Sequence, residues 1–335
     1  MTRAPRMSDI AKATGVSPMT VSRAFRQDTS VSAETRDAVM RAAEALGYVF
    51  DSTASNLRSQ KTGFVAVTIP SINNANFAQT VRGLTEGLAA AGLQILLAYT
   101  DYDMQQEERL IAQLLQRRPE AMVVTGGRHT ARARLMLQKA GVPVVETWDL
   151  PVAPIGHVVG FSNAEAVRGM VDHFARVGYR RIAFIGGDAD RDTRGTDRRA
   201  GFIAAMQARG LDATRLIRAG VPPISMREGA QAMAHLLEAL PDTEAVICVS
   251  DLSAFGALTE CQRRGVAVPG RMAIGGFGDY EIAEVSVPSL TTVNPYPLEI
   301  GRRAAALVLA ALAEPGLAGR VERVETALIV RQSGG

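Results

Sequence analysis

The sequence predicts two structural classes in one chain. An all-α helix-turn-helix unit comes first, followed through a short polar segment by an α/β body of two doubly wound parallel-sheet lobes. Three observations carry this. Residues 7–25, "MSDIAKATGVSPMTVSRAF", hold two short apolar-periodic runs with a glycine between them. From Gly63 onward, buried strand-like runs alternate with amphipathic helical runs, and the pattern occurs in two sets. The charge is also uneven: residues 1–61 contain nine basic and six acidic side chains, while the rest carries 28 of each, so the whole formal excess of +3 lies in the first segment. At 335 residues and 47% hydrophobic composition, the chain can build more than one core.

The N-terminal elements follow from local signals. The first helix is expected to begin near Ser8, its cap, and to bury Ile10, Ala11 and Thr14. Gly15 ends it, because glycine takes the left-handed conformation without strain. Ser17 is the next N-cap and Pro18 occupies the first helical position, where a missing N–H costs nothing. Val16 and Val21 stand at the spacing of a hydrophobic staple. Val21, Ala24 and Phe25 face inward, leaving Thr20, Ser22, Arg23 and Arg26 on the other faces. A third helix is capped by Ser32, with Val39, Ala43 and Leu46 as its inward stripe. Two short helices around a glycine turn, the second polar and basic, read as a helix-turn-helix, and with the local basic excess they point to a nucleic-acid reader. An unliganded three-helix bundle is the competing reading of the spacing alone. Residues 51–62 form the polar connection, with Leu57 as its lone large apolar side chain.

In the body, "FVAVTI", "LQILLAY", "AMVVTG" and "VPVVE" read as strands, separated by "FAQTVRGLTEGLAAAG", "QEERLIAQLLQ" and "ARARLMLQKAG" as helices. The second set runs from "SNAEAVRGMVDHFARVG" and "RRIAFIGG" through "AVICVS", "LSAFGALTECQRRG" and "MAIGGF". Ligands in such sheets bind beyond the carboxyl ends of the strands, which here means between the lobes. The loops at those ends hold Asn76 and Phe77, Arg128 and His129, and Trp148 with Asp149; in the second lobe they are "GGDADRDTRGTDRR", "SDLS" and "FGDYE". Together they gather Arg128, His129, Arg191, Arg194 and Arg198, a set of donors suited to an anion.

The stretch "MSDIAKATGVSPMTVSRAFRQDTSVSAETRDAVMRAAEALGY" closely resembles the N-terminal domain of the lac repressor family, with DIA, GVS, TVSR and ALGY in order. The resemblance continues through nearly the whole chain. It is strongest to the gluconate repressor branch in "VAVTIPSINNANFAQTVRGL", "PVVETWDLP", "VVGFSN" and "ECQRRGVAVPGRMAIGGFGDYEIAEV". It implies a periplasmic-binding-protein-like sensing core and a DNA-binding domain at 1–50. It also implies a hinge at 51–62 and an effector-binding, dimerising core at 63–335, whose N-lobe spans about 63–160 and 294–323 and whose C-lobe spans about 161–293 and 324–335. It implies DNA contacts from Ser17, Pro18, Met19, Thr20, Ser22, Arg23 and Arg26, and from Ala54, Leu57 and Arg58 in a hinge helix that forms on the operator. The leucine would wedge into the minor groove. Phe50 and Asp51 stand where the family has Pro-Asn, and Asp51 can still cap a helix. For the effector, the resemblance implies Arg198, just before "RAGF", with Asn76, His129, Asp251 and Asp279 at or beside other positions. Gly278 stands where sugar-binding relatives usually carry an aspartate, which removes a hydroxyl acceptor and favours an anionic, polyhydroxylated effector such as gluconate.

The expected function is therefore a homodimeric repressor of sugar-acid catabolic genes, released from palindromic double-stranded operator DNA by its effector. A neutral-sugar-responsive or corepressor-dependent regulator of the same family is the alternative, and a transport-type sugar-binding protein a more remote one. An enzyme is disfavoured: "GGDADRD" is not a GxGxxG fingerprint, and no nucleophile–base pair or metal-ligand spacing is present. No cofactor or metal is expected. Cys248 and Cys261 read as buried thiols, and the four histidines are scattered. With no apolar run of membrane-spanning length and no signal-like stretch, a cytoplasmic location without membrane contact is expected.

Overall fold

The computed structural model describes residues 3–26, 30–50, 62–187 and 191–335. The hinge residues Ala54, Leu57 and Arg58 lie outside the described residues. The chain divides into two compact units, 1–61 and 62–335.

The first unit contains α1 (Met7–Thr14), α2 (Pro18–Phe25) and α3 (Ala33–Leu46). Gly15 closes α1 at φ 70°, and Ser17 caps α2 by accepting from the Thr20 N–H. Ser32 caps α3 in the same way, through the Thr35 N–H. Ile10, Ala11, Val21, Ala24, Val31, Val39 and Ala43 form the core. Three expectations are corrected. Ser8 does not cap α1; the helix starts at Met7, and Asp9 accepts from the Arg6 N–H instead. Thr14 is only half-buried, its hydroxyl donating to the Ile10 carbonyl. Leu46 is exposed, because α3 ends beside it at Gly47 and its last turn extends past the small core.

The second unit holds two parallel sheets. The strands β1 (Phe64–Ile69), β2 (Gln94–Tyr99), β3 (Ala121–Thr125), β4 (Val144–Thr147), β5 (His157–Gly160) and β11 (Val321–Arg323) form the first, in the order β11-β5-β4-β3-β1-β2. The second contains β6 (Ile182–Gly186), β7 (Leu216–Arg218), β8 (Ala245–Cys248) and β9 (Ala273–Gly275), in the order β7-β6-β8-β9. An antiparallel pair, β10 (Thr292–Asn294) with β12 (Ala327–Ile329), completes the strands. Valines, isoleucines and alanines fill β1, β3, β6 and β8, which are buried along most of their length as strands covered on both faces must be.

The helices of the first lobe are α4 (Ala75–Ala89), α5 (Met104–Leu115), α6 (Ala131–Gln138) and the returning α12 (Pro297–Ala313). Those of the second are α7 (Asn163–Val177), α8 (Thr193–Ala208), α9 (Met226–Ala239), α10 (Asp251–Arg263) and the short α11 (Glu281–Val285). Helices α4 and α12 pack backbone to backbone: a Cβ on Gly83 would stand 2.2 Å from the Leu298 carbonyl oxygen, and one on Gly301 2.1 Å from that of Thr80. This close packing fixes the start of α4, and with it Asn76 and Phe77, against the strands. Among the described residues no helix is long and apolar enough to cross a membrane.

Candidate functional site

In the first unit the exposed side of α2 is the chemically distinctive surface. Pro18, Met19 and Arg23 are exposed, with Met19 at 58%. Ser17 and Thr20 are engaged with each other, their hydroxyls 2.9 Å apart. Arg26 folds back on its own helix, donating to the Ser22 hydroxyl at 2.9 Å and the Ser22 carbonyl. A short helix that displays an apolar tip and an exposed guanidinium can read thymine methyls and a guanine edge in a major groove.

In the second unit a cavity of about 150 Å³ lies between the lobes, at the carboxyl ends of both sheets. The first lobe contributes Ser71, Asn73, Asn74, Asn76 and Phe77 from the loop after β1 and the start of α4, with Tyr102 after β2 and Trp148 after β4. The second contributes Asp192, Arg194 and Arg198 from the start of α8, the Pro222–Ser225 loop, Val249, Ser250, Leu252, Phe277 and Tyr280. An aromatic series runs through the walls: Phe77 meets Trp148 edge-on at 5.2 Å, Trp148 meets Phe161 at 5.8 Å, and Phe161 stacks on Phe277 at 6.0 Å.

The Arg198 guanidinium lies 3.6 Å over the Phe277 ring. Its Nε donates to Asn163 Oδ1 at 3.0 Å and its Nη1 to the Val249 carbonyl at 2.9 Å. Burial lowers its pKa to about 10, so it still carries its charge at neutral pH. Arg194 faces the rings of Phe77 and Tyr102 at 5.6 and 5.9 Å. Asp192 caps α8 by accepting from the Gly195 N–H. Among the described residues, two arginines against one carboxylate leave the cavity lining with a net positive charge. Burial raises the pKa of the phenols of Tyr102 and Tyr280, which therefore stay neutral.

Contacts across the mouth hold the lobes together. Tyr280 Oη donates to Asn74 Oδ1 at 2.7 Å, Arg128 pairs with Asp197, and Arg191 donates to the Asp101 carbonyl at 3.0 Å.

The structure thus brings Asn76, Phe77, Trp148, Arg194 and Arg198 together around one cavity. Four other expected effector residues are not among its walls. His129 is turned into the first lobe, between Glu107 at 2.9 Å and Glu146 at 3.6 Å, with its side chain 1% exposed. Arg128 is spent on the bridge to Asp197 at the mouth. The Asp251 carboxylate is buried and accepts from the Thr292 hydroxyl and the Tyr280 N–H, which ties α10 to β10. Asp279 accepts from Arg331 and Asn294, each of its oxygens already holding a donor. Residues the sequence reading passed over include Tyr102, the Pro222–Ser225 loop and Asn163. Tyr102 follows a strand end like the others, so the same rule applied to β2 finds it. Among the described residues no cluster of histidine, cysteine or acidic groups is suited to a metal ion.

Comparison with known proteins gives these two sites a context. Residues 6–51 match the model of bacterial regulatory proteins of the lacI family, and residues 171–334 match a periplasmic binding protein-like domain. The chain is 36% identical over 309 residues to the HTH-type transcriptional regulator GntR of Pseudomonas aeruginosa, covering 92% of this chain and 90% of that protein. The chain belongs to the lacI family. This lacI family protein also resembles a solved LacI family transcriptional regulator from Silicibacter pomeroyi, at 42% identity and a TM-score of 0.77, covering 81% of this chain and 98% of that one. A solved transcription regulator GntR from Chromobacterium violaceum is 36% identical, with a TM-score of 0.73, covering 81% of this chain and 99% of that one. The family is one of DNA-binding transcriptional regulators rather than enzymes. In this lacI family member the exposed face of α2 belongs to the DNA reader, and the inter-lobe cavity to the periplasmic-binding-protein-like sensing core.

Proposed function

We propose that the chain is a repressor that binds a palindromic operator as a homodimer and releases it when a sugar acid of gluconate type occupies the inter-lobe cavity. The observation that carries this reading is Arg198: a buried guanidinium whose hydrogen-bond partners are neutral, facing a cavity with a net positive lining. A carboxylate ligand supplies the missing charge through paired charge-assisted bonds. Ser71 and the asparagines of the opposite wall suit the hydroxyls of a polyol chain, and the aromatic rings suit its C–H faces. The excess of one positive charge among the described lining residues matches a monoanion better than a phosphorylated sugar acid. The sequence likeness to the gluconate repressor branch supports the same ligand class.

The homodimer reading is supported by β2, an edge strand whose Leu96, Leu97 and Tyr99 are exposed. Such an edge favours pairing with a second copy. Two-fold symmetry then requires a two-fold operator.

The test is a pair of titrations on Arg198→Ala: operator binding without ligand, and gluconate-driven release of the complex. Operator affinity should stay near wild type, while the gluconate needed for release rises about tenfold or more, the equivalent of one charge-assisted bond. A variant that responds at the wild-type concentration contradicts the assignment. In wild type, gluconate should release the operator at lower concentration than 6-phosphogluconate or glucose, and the opposite order contradicts the monoanion reading.

A further inference from the structure

Asn163, the first residue of α7, is buried and has both ends of its amide engaged. Its Oδ1 accepts from Arg198 Nε at 3.0 Å, and its Nδ2 donates to the Trp148 carbonyl at 3.0 Å. One end therefore holds the cavity's arginine on the second lobe and the other holds the first lobe's tryptophan. The amide accepts at one end and donates at the other without carrying a charge.

Trp148 is an unusual anchor. It is a bulky residue at φ 71°, a conformation that L side chains rarely adopt and that persists only when its surroundings enforce it. Its Nε1 donates to Thr80 Oγ1 at 3.1 Å, and the Thr80 hydroxyl donates on to the Asn76 carbonyl at 2.9 Å. Arg198, Asn163, Trp148, Thr80 and Asn76 are thus connected by successive hydrogen bonds around the cavity wall, with Asn163 at the crossing between lobes.

The charge on the chain matters as much as its geometry. Arg198 is oriented by Asn163, the Val249 carbonyl and the Phe277 ring, none of which is an anion. A carboxylate in place of the Asn163 amide would orient the arginine as well but would cancel its charge.

We propose that Asn163 is the specificity-determining positioning residue of the cavity. Its neutral amide fixes Arg198 while leaving the guanidinium's charge for an anionic ligand, and it transmits the position of Arg198 to Trp148 on the opposite lobe. The charge half of this proposal rests on the anionic-effector reading above; the link to Trp148 does not.

The experiment uses the full chain and its single tryptophan as reporter. In ligand-free protein, acrylamide quenching of Trp148 is measured in Asn163→Ala, Arg198→Met and the double variant. Asn163→Ala should raise the quenching constant clearly, and the double variant should not exceed the larger single change, as for partners in one chain of bonds. Unchanged quenching in Asn163→Ala, or single effects that multiply, overturns the link. Gluconate affinity is then followed through Trp148 emission in Asn163→Ala and Asn163→Asp. Asn163→Asp should bind gluconate about thirtyfold or more weakly than wild type and worse than Asn163→Ala, because alanine loosens Arg198 but leaves its charge. Asn163→Asp that binds gluconate as well as or better than Asn163→Ala overturns the specificity claim. Wild-type protein that ignores gluconate contradicts the function proposed above, while the ligand-free quenching still decides for or against the Asn163 link.

Discussion

At the residue scale, the expected effector residues that lie off the cavity walls are polar side chains already engaged by partners within the protein. His129 stands in a loop at a strand end, as effector ligands do, yet its ring points between two acids. Burial alone would lower its pKa, but Glu107 and Glu146 overcome that and raise it to about 9 from an ordinary value of 6.5. A histidine raised in the folded state stabilises the fold fully below about pH 6.5, and that contribution is lost as pH climbs to about 9. Urea midpoints of the wild-type protein should therefore fall across this window. Glu107→Gln, which removes one of the two partners, should shift the fall to lower pH. A midpoint independent of pH between 6.5 and 9 would contradict the buried charged histidine. Nothing in the order of residues distinguishes His129 from a ligand; the acids that claim it stand on α5 and β4, far away in sequence. The donors of Asp251 and Asp279, namely Thr292, Asn294 and Arg331, likewise come from later segments of the chain. The place of Arg198 in the cavity wall was legible because it lies in a family motif, whereas the place of Asn163 behind it was not, because an asparagine at a helix start reads first as a cap.

At the element scale, caps and periodicity made the helix-turn-helix legible almost residue by residue. Ser17, Pro18 and Gly15 each perform the role their type suggests. The long buried strands were legible too. Strand β7 and helix α9 were passed over, because β7 has only three residues and is half-open, and the Pro222–Ser225 loop after it carries no periodicity. That omission hid one wall of the cavity. Two expectations belong here. Arg23→Ala on α2 should cost about 1–3 kcal/mol in operator binding and relax the preference at one base pair; equal losses across all operator substitutions would make it a phosphate contact. Gly83→Ala should destabilise the second unit by about 1–3 kcal/mol, the usual cost of overpacking, because its Cβ meets the backbone of α12 rather than a side chain that can turn aside. An unchanged urea midpoint would show that α4 and α12 separate freely.

At the scale of the whole molecule, the claim is thermodynamic. A ligand shifts the operator equilibrium only through its different affinities for the two lobe arrangements, and the coupling acts equally in both directions. The contacts at the cavity mouth, Tyr280 with Asn74 and Arg128 with Asp197, join the two lobes. The most direct test is to measure gluconate affinity in free protein and in protein saturated with operator, alongside operator affinity with and without gluconate. The expected result is that operator weakens gluconate binding, and gluconate weakens operator binding, by the same factor, in the range of about 5- to 150-fold typical of such coupling. Gluconate that binds free and operator-bound protein equally well, or binds neither, would contradict the account.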